Sequence, residues 1–133
     1  MSTDLKQSKS ALYVEDDATL RRMLADYIKN SGYDVTQADN LQDAVAHAQR
    51  QRFDVYITDG SFPLTHGVHE ASGAGLKLYD KIKQMYGVPL NFAVVSADKD
   101  LEQRCVNEGI RFFFKGRLYR ELESFRDYLE SLK

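Results

Sequence analysis

A chain of 133 residues, 43% apolar and 29% charged, has the composition of one folded domain with a real hydrophobic core and is too short for a two-domain enzyme. Its 18 basic and 20 acidic side chains leave a formal charge of -2, so no global positive field exists to recruit nucleic acid or an acidic membrane. The single cysteine, Cys105, excludes an intrachain disulfide and a multi-cysteine metal site and fits a reducing, cytoplasmic compartment; no apolar run reaches the length of a membrane helix.

Residues 1–9 read as a loose polar tail and 10–133 as a single domain. Ala11-Leu12-Tyr13-Val14 is a strand-like run that stops at Glu15-Asp16-Asp17, after which Leu20, Met23, Leu24, Tyr27 and Ile28 recur at helical spacing. Asn30-Ser31-Gly32 ends that helix, and a weaker strand follows near Asp34 to Ala38. Asp39 or Asn40 caps the next helix, which carries Leu41, Ala44, Val45 and Ala48 on one face. Phe53 to Ile57 predicts a third strand ending at Thr58-Asp59-Gly60, and a helix pattern runs from Gly75 to Met85. Phe92 to Val95 reads as a buried strand ending at Ser96, followed by a mostly polar, shallowly packed helix over 99–108. Phe112-Phe113-Phe114 is the fifth strand, ending at Lys115, and Leu118, Leu122, Phe125, Leu129 and Leu132 mark a final helix. Five strands alternating with five helices predict an α/β fold with a parallel sheet covered on both faces.

Open parallel sheets bind ligands beyond the carboxyl ends of their strands. Here those ends carry Asp16-Asp17, Asp59, Ser96 and Lys115: three carboxylates, a hydroxyl and an ammonium on one edge. Clustered carboxylates repel unless a cation neutralises them, and an all-oxygen set without His or Cys suits a hard ion such as Mg²⁺, which commonly takes a phosphate oxygen as a further ligand. An aspartate beside such an ion can attack phosphorus and form an acyl phosphate, and Asp59 is the candidate. Asp16-Asp17 also suits a helix N-terminus, where negative charge and capping are both favourable.

The residues Val-Glu-Asp-Asp at 14–17, Asp59 with Pro63, Gly-Leu-Lys-Leu at 75–78 with Ile82, Val-Ser-Ala at 95–97 and Phe-Lys at 114–115 together resemble the receiver domain of bacterial two-component response regulators. The resemblance implies a flavodoxin-like, doubly wound five-stranded parallel sheet of order 2-1-3-4-5 with five helices. It implies that Asp59 is the phosphoacceptor, with Mg²⁺ held directly by Asp17 and Asp59, through water by Asp16, and by the backbone carbonyl of Ser61. Ser96 and Lys115 would take phosphoryl oxygens, and Phe112 matches the aromatic that turns inward when Ser96 is drawn to the phosphate. The implied function is a stand-alone phosphoryl-accepting switch, not an enzyme acting on other substrates: a histidine kinase or phosphotransfer protein supplies the group, and a separate protein receives the signal. A receiver that has lost the chemistry and serves as a fixed protein-binding module is the alternative. A small Mg²⁺-dependent aspartyl phosphatase ranks below both, since no second carboxylate lies two residues after Asp59 and no cap domain is present.

Two departures from the family pattern stand out. Gly116 occupies the place of the usual proline, commonly joined by a cis peptide; a non-proline cis bond costs about 2.5–4 kcal/mol, so a trans bond and a repositioned lysine are expected. The connection from Gly60 to Ala74 is far longer than the roughly 2–6 residues of ordinary βα loops. Its His66, His69 and Glu70 read as solvated loop residues, without a metal site. Cys105 reads as a small buried hydrophobe.

Overall fold

The computed structural model of the protein describes residues 8–132. The main elements are β1 (Lys9–Val14), α1 (Ala18–Asn30), β2 (Tyr33–Ala38), α2 (Leu41–Arg50), β3 (Val55–Asp59), α3 (Ala74–Tyr86), β4 (Phe92–Ser96), α4 (Asp100–Asn107), β5 (Arg111–Phe114) and α5 (Leu118–Ser131). Every neighbouring pair of these strands is parallel, and the sheet order is 2-1-3-4-5 once two short strands in the long loop are set apart. Residues 1–7 of the expected tail lie outside the described residues, and β1 takes in Lys9.

The alternation along each strand sorts the core into two layers. Leu12, Val14, Tyr56, Phe92 and Val94 point to the face covered by α2 and α3, where Ala44, Leu78 and Ile82 meet them. Ala11, Tyr13, Val55, Ile57, Ala93, Val95 and Phe113 point to the opposite face, where Leu24 and Ile28 of α1 and Phe125 and Leu129 of α5 close the layer. Strands buried on both faces read as near-continuous apolar runs, which is why β1, β3 and β4 are so distinct in the sequence. Two tyrosines fasten α5: Tyr27 donates its hydroxyl to the Leu122 carbonyl and Tyr33 to that of Leu129. Helix α4 buries Cys105 alone among its residues, which agrees with its shallow apolar stripe.

Asn40, rather than Asp39, caps α2: its side chain accepts the Asp43 amide at 2.8 Å. The long connection after β3 is folded rather than loose. Phe62–Pro63 pairs antiparallel with Glu70–Ala71, Phe62 is fully buried, and the Leu64 carbonyl accepts the Gln42 amide of α2. Gly67 and Gly73 supply the positive φ values, 82° and 76°, that this excursion needs to turn back into α3. Its His66 pairs with Asp39 at 3.0 Å and His69 is exposed; among the described residues neither belongs to a group of three metal-ligating side chains.

Phe125 is fully buried and packs edge-on to Phe113 at 5.1 Å, so Phe125→Ala should cost about 3–5 kcal/mol in urea unfolding. Tyr119 on the same helix is 91% exposed, and Tyr119→Ala should stay within about 0.5 kcal/mol. Equal costs for the two would contradict this division of α5 into a core face and a solvent face.

Candidate functional site

The parallel order places the carboxyl ends of β1, β3, β4 and β5 on one edge, and the residues just beyond them build the site. Chain direction turns at the end of β1, where Glu15 extends the ladder with its amide bonded to the Ala38 carbonyl, and Asp17 starts α1. Asp59 is the last residue of β3 and is 7% exposed. Carboxylate oxygens of Glu15, Asp16 and Asp59 lie within 4.8 Å of one another.

Asp17 does not join them. Its carboxylate turns back onto α1 and accepts the amides of Thr19 at 3.0 Å and Leu20 at 3.1 Å, a helix N-cap. Both cap bonds fall on its Oδ1, and the cluster is formed by Glu15 and Asp16 with Asp59, in place of the expected Asp16 and Asp17. Glu15 is the member of the cluster that sequence reasoning misses. The signal was available in the spacing: Asp17 directly precedes the Ala18-Thr19-Leu20 start of the helical pattern, the position a cap requires.

Lys115 closes the site from β5. Its Nζ lies 2.9 Å from Glu15 Oε1 and 3.1 Å from Asp59 Oδ2. The Lys115–Gly116 bond is trans, as expected, since Val88–Pro89 is the one cis peptide among the described residues. The lysine nevertheless reaches the acids, because a short 3₁₀ turn over Lys115–Arg117 leads directly into α5. The absence of a side chain at Gly116 matters here, for a Cβ there would lie 2.6 Å from the Phe114 ring.

The second Glu15 oxygen accepts the Asp17 amide at 3.2 Å, and the Glu15 carbonyl accepts Arg21 Nη1 at 2.8 Å. Burial, then the charge of Asp59, pushes the Glu15 carboxyl up to about 8, and Lys115 pulls against this without cancelling it. Burial works against the Lys115 charge too, but the carboxylates of Asp59 and Glu15 outweigh it and hold the amine above its ordinary range. The edge is thus overloaded with negative charge: three carboxyls face one ammonium, and a hard divalent cation fits both the all-oxygen donor set and the deficit.

Asp59 itself is held from three sides. Its Oδ1 accepts the Gly60 amide at 2.6 Å, Thr58 Oγ1 donates to its carbonyl at 2.9 Å, and α3 backs against it through Gly75, where any Cβ would overlap that carbonyl oxygen. Ser61 uses its hydroxyl to accept the Gly73 amide at 3.4 Å, tying the site to the start of α3. Ser96 is 3% exposed, and its Oγ accepts the Asp98 amide at 3.0 Å. Phe112 is half-buried and packs with the core beneath α4. A buried carboxylate at the end of a central strand, beside two further acids and an ammonium, can accept an electrophilic, anionic group.

The family profile of the response regulator receiver domain matches residues 11–118. Among curated proteins, a response regulator receiver protein from Anaeromyxobacter sp. (strain Fw109-5) is 39% identical over 62 residues, covering 44% of this chain and 26% of that protein. The chain spans 26% to 55% of the length of the curated relatives it matches. Among solved structures, a receiver domain protein from Clostridium thermocellum superposes with a TM-score of 0.74 at 16% identity, covering 93% of each chain. The response regulator TrrA from Thermotoga maritima, solved in complex with Mg(2+)-BeF, superposes with a TM-score of 0.71 at 20% identity over 91% of this chain and 98% of its own. With the fold, the strand-end acids and the profile in agreement over most of its length, the chain belongs to the response regulator receiver domain family.

Proposed function

We propose that Asp59 accepts a phosphoryl group in a Mg²⁺-dependent reaction and that the resulting change of surface is read by a separate protein. The observation that carries this reading is the placement of Asp59: buried at the end of a central strand, ion-paired to Lys115, and clustered with Glu15 and Asp16. Glu15, Asp16 and Asp59, with the Ser61 carbonyl, are the residues that would hold Mg²⁺. Bound there, the ion would supply neutralising charge to the oxygens of a phosphoryl group.

The chain's own residues do the rest. An Asp59 carboxylate oxygen attacks phosphorus as the bond from phosphorus to the donor, a kinase or phosphotransfer histidine, breaks and the donor nitrogen takes up a proton. Lys115, released from Asp59 as its charge is shared with the new group, pairs with a phosphoryl oxygen, and the Ser96 hydroxyl turns to donate to another. Phe112, half-buried beneath α4, follows Ser96 inward. Hydrolysis adds water to phosphorus and returns the carboxylate. The alternative of a fixed binding module is motivated by Gly116 and the long loop; the reach of Lys115 to Asp59 weakens the first motive.

Incubation with Mg²⁺ and acetyl phosphate should add one phosphoryl group to the intact mass, and Asp59→Asn should show none. An unmodified wild type, or an equally modified variant, would contradict the assignment.

Glu15 gives a pH dependence of definite sign. Its folded carboxyl, held near 8, keeps a proton that the unfolded chain releases at its ordinary value near 4.5. Without Mg²⁺, its contribution to stability therefore falls as pH rises from about 4.5 through 8. Urea unfolding at acid and mildly alkaline pH should show that decline in the wild type and a flatter profile in Glu15→Gln. Identical profiles would rule out Glu15 as the buried acid of the site.

A further inference from the structure

Gly60, the residue after the phosphoacceptor, leaves a notch at the end of β3 that two residues from elsewhere fill. A Cβ at this position would lie 2.5 Å from Leu101 Cδ1, 2.6 Å from Ser96 Oγ and 3.0 Å from Ser96 Cβ. Leu101 belongs to the first turn of α4, and Ser96 is the last residue of β4. Seated there, the serine hydroxyl accepts the Asp98 amide at 3.0 Å, so the turn that leads from β4 into α4 is closed over Gly60.

We propose that Gly60 is a positioning residue that holds the switch at rest: the notch it leaves parks the Ser96 hydroxyl on the Asp98 amide and seats Leu101, and so α4, on the strand end. This rests on the reading of Asp59 as the phosphoacceptor. A phosphoryl group on Asp59 draws the hydroxyl out of the notch and breaks its bond to the Asp98 amide. Leu101 is then the remaining occupant, and α4 resettles. Leu101 of α4 thereby lies over the residue that follows Asp59, a link separate from Phe112.

The consequence is unusual for a substitution beside a binding site. Adding one methyl group at position 60 evicts the hydroxyl from its resting place, so the cost of withdrawing it is met before the ligand arrives, and affinity for a phosphoryl mimic rises. Mg²⁺ with beryllofluoride is the probe, titrated calorimetrically into the wild type, Gly60→Ala, and Gly60→Ala combined with Leu101→Ala. The double variant relieves the crowding on Leu101 while keeping the clash with Ser96, and so guards against a variant that fails to fold.

Gly60→Ala, or the double variant in its place, should bind the mimic about threefold or more tightly than wild type. The Asp98 amide should also exchange with solvent faster before ligand is added, with α1 amides unchanged. Wild-type binding together with unchanged or weakened binding in the folded variants would overturn the inference and leave the receiver reading intact. Absence of wild-type binding would overturn both.

Discussion

The Lys115 ammonium, lying 2.9 Å from Glu15 and 3.1 Å from Asp59, makes it feasible to bury two carboxyls side by side at the edge of the sheet. Without it, two acids at 1% and 7% exposure would face each other with Asp16 adjoining, and burial and repulsion would drive protons onto them. One cation offsets part of that cost. The remainder is visible in Glu15, whose carboxyl stays high despite the pair, and it is what makes the edge receptive to a divalent ion. Under the proposed function the same strain links Asp59 to Lys115, since a group that lowers the charge density of Asp59 would also free the lysine.

The fold supplies the geometry for this interaction. Parallel strands ordered 2-1-3-4-5 bring the ends of β1, β3 and β5 to one side, although Glu15 and Lys115 are distant in sequence. Two glycines then allow backbone and side chains to approach Asp59 more closely than any other residue would permit: Gly75 beneath its carbonyl and Gly60 beneath Ser96. In the proposed switch, Asp59 is held by the Gly60 amide and by Gly75 against its carbonyl, and Ser96, Phe112 and Lys115 are the side chains that would rotate to transmit a change.

Much of this was legible in the residues. Apolar runs in β1, β3 and β4 stand out because both faces of the sheet are buried, and the polar residues at the strand ends are then Asp59, Ser96 and, after β5, Lys115. The acidic triplet was harder. Three consecutive acids offer two pairings, and the folded chain is needed to show that Asp17 caps α1 while Glu15 joins the acidic cluster. The ribbon within the long loop left no periodic signal, because strands of two residues are too short for alternation to register. Gly116 pointed to a displaced lysine, yet Lys115 reaches both acids from a 3₁₀ turn in which Gly116 passes too close to the Phe114 ring to carry a side chain, an arrangement that exists only in three dimensions.

The proposed cation-binding edge consists of Glu15, Asp16 and Asp59, with Asp17 serving the helix. Calorimetric titration of Mg²⁺ into the wild type, Glu15→Gln and Asp17→Asn addresses it directly, because asparagine retains the capping oxygen while removing the charge. Glu15→Gln should weaken Mg²⁺ binding about tenfold, and Asp17→Asn should keep it within about twofold. Loss of Mg²⁺ binding in Asp17→Asn with wild-type affinity in Glu15→Gln would contradict the account.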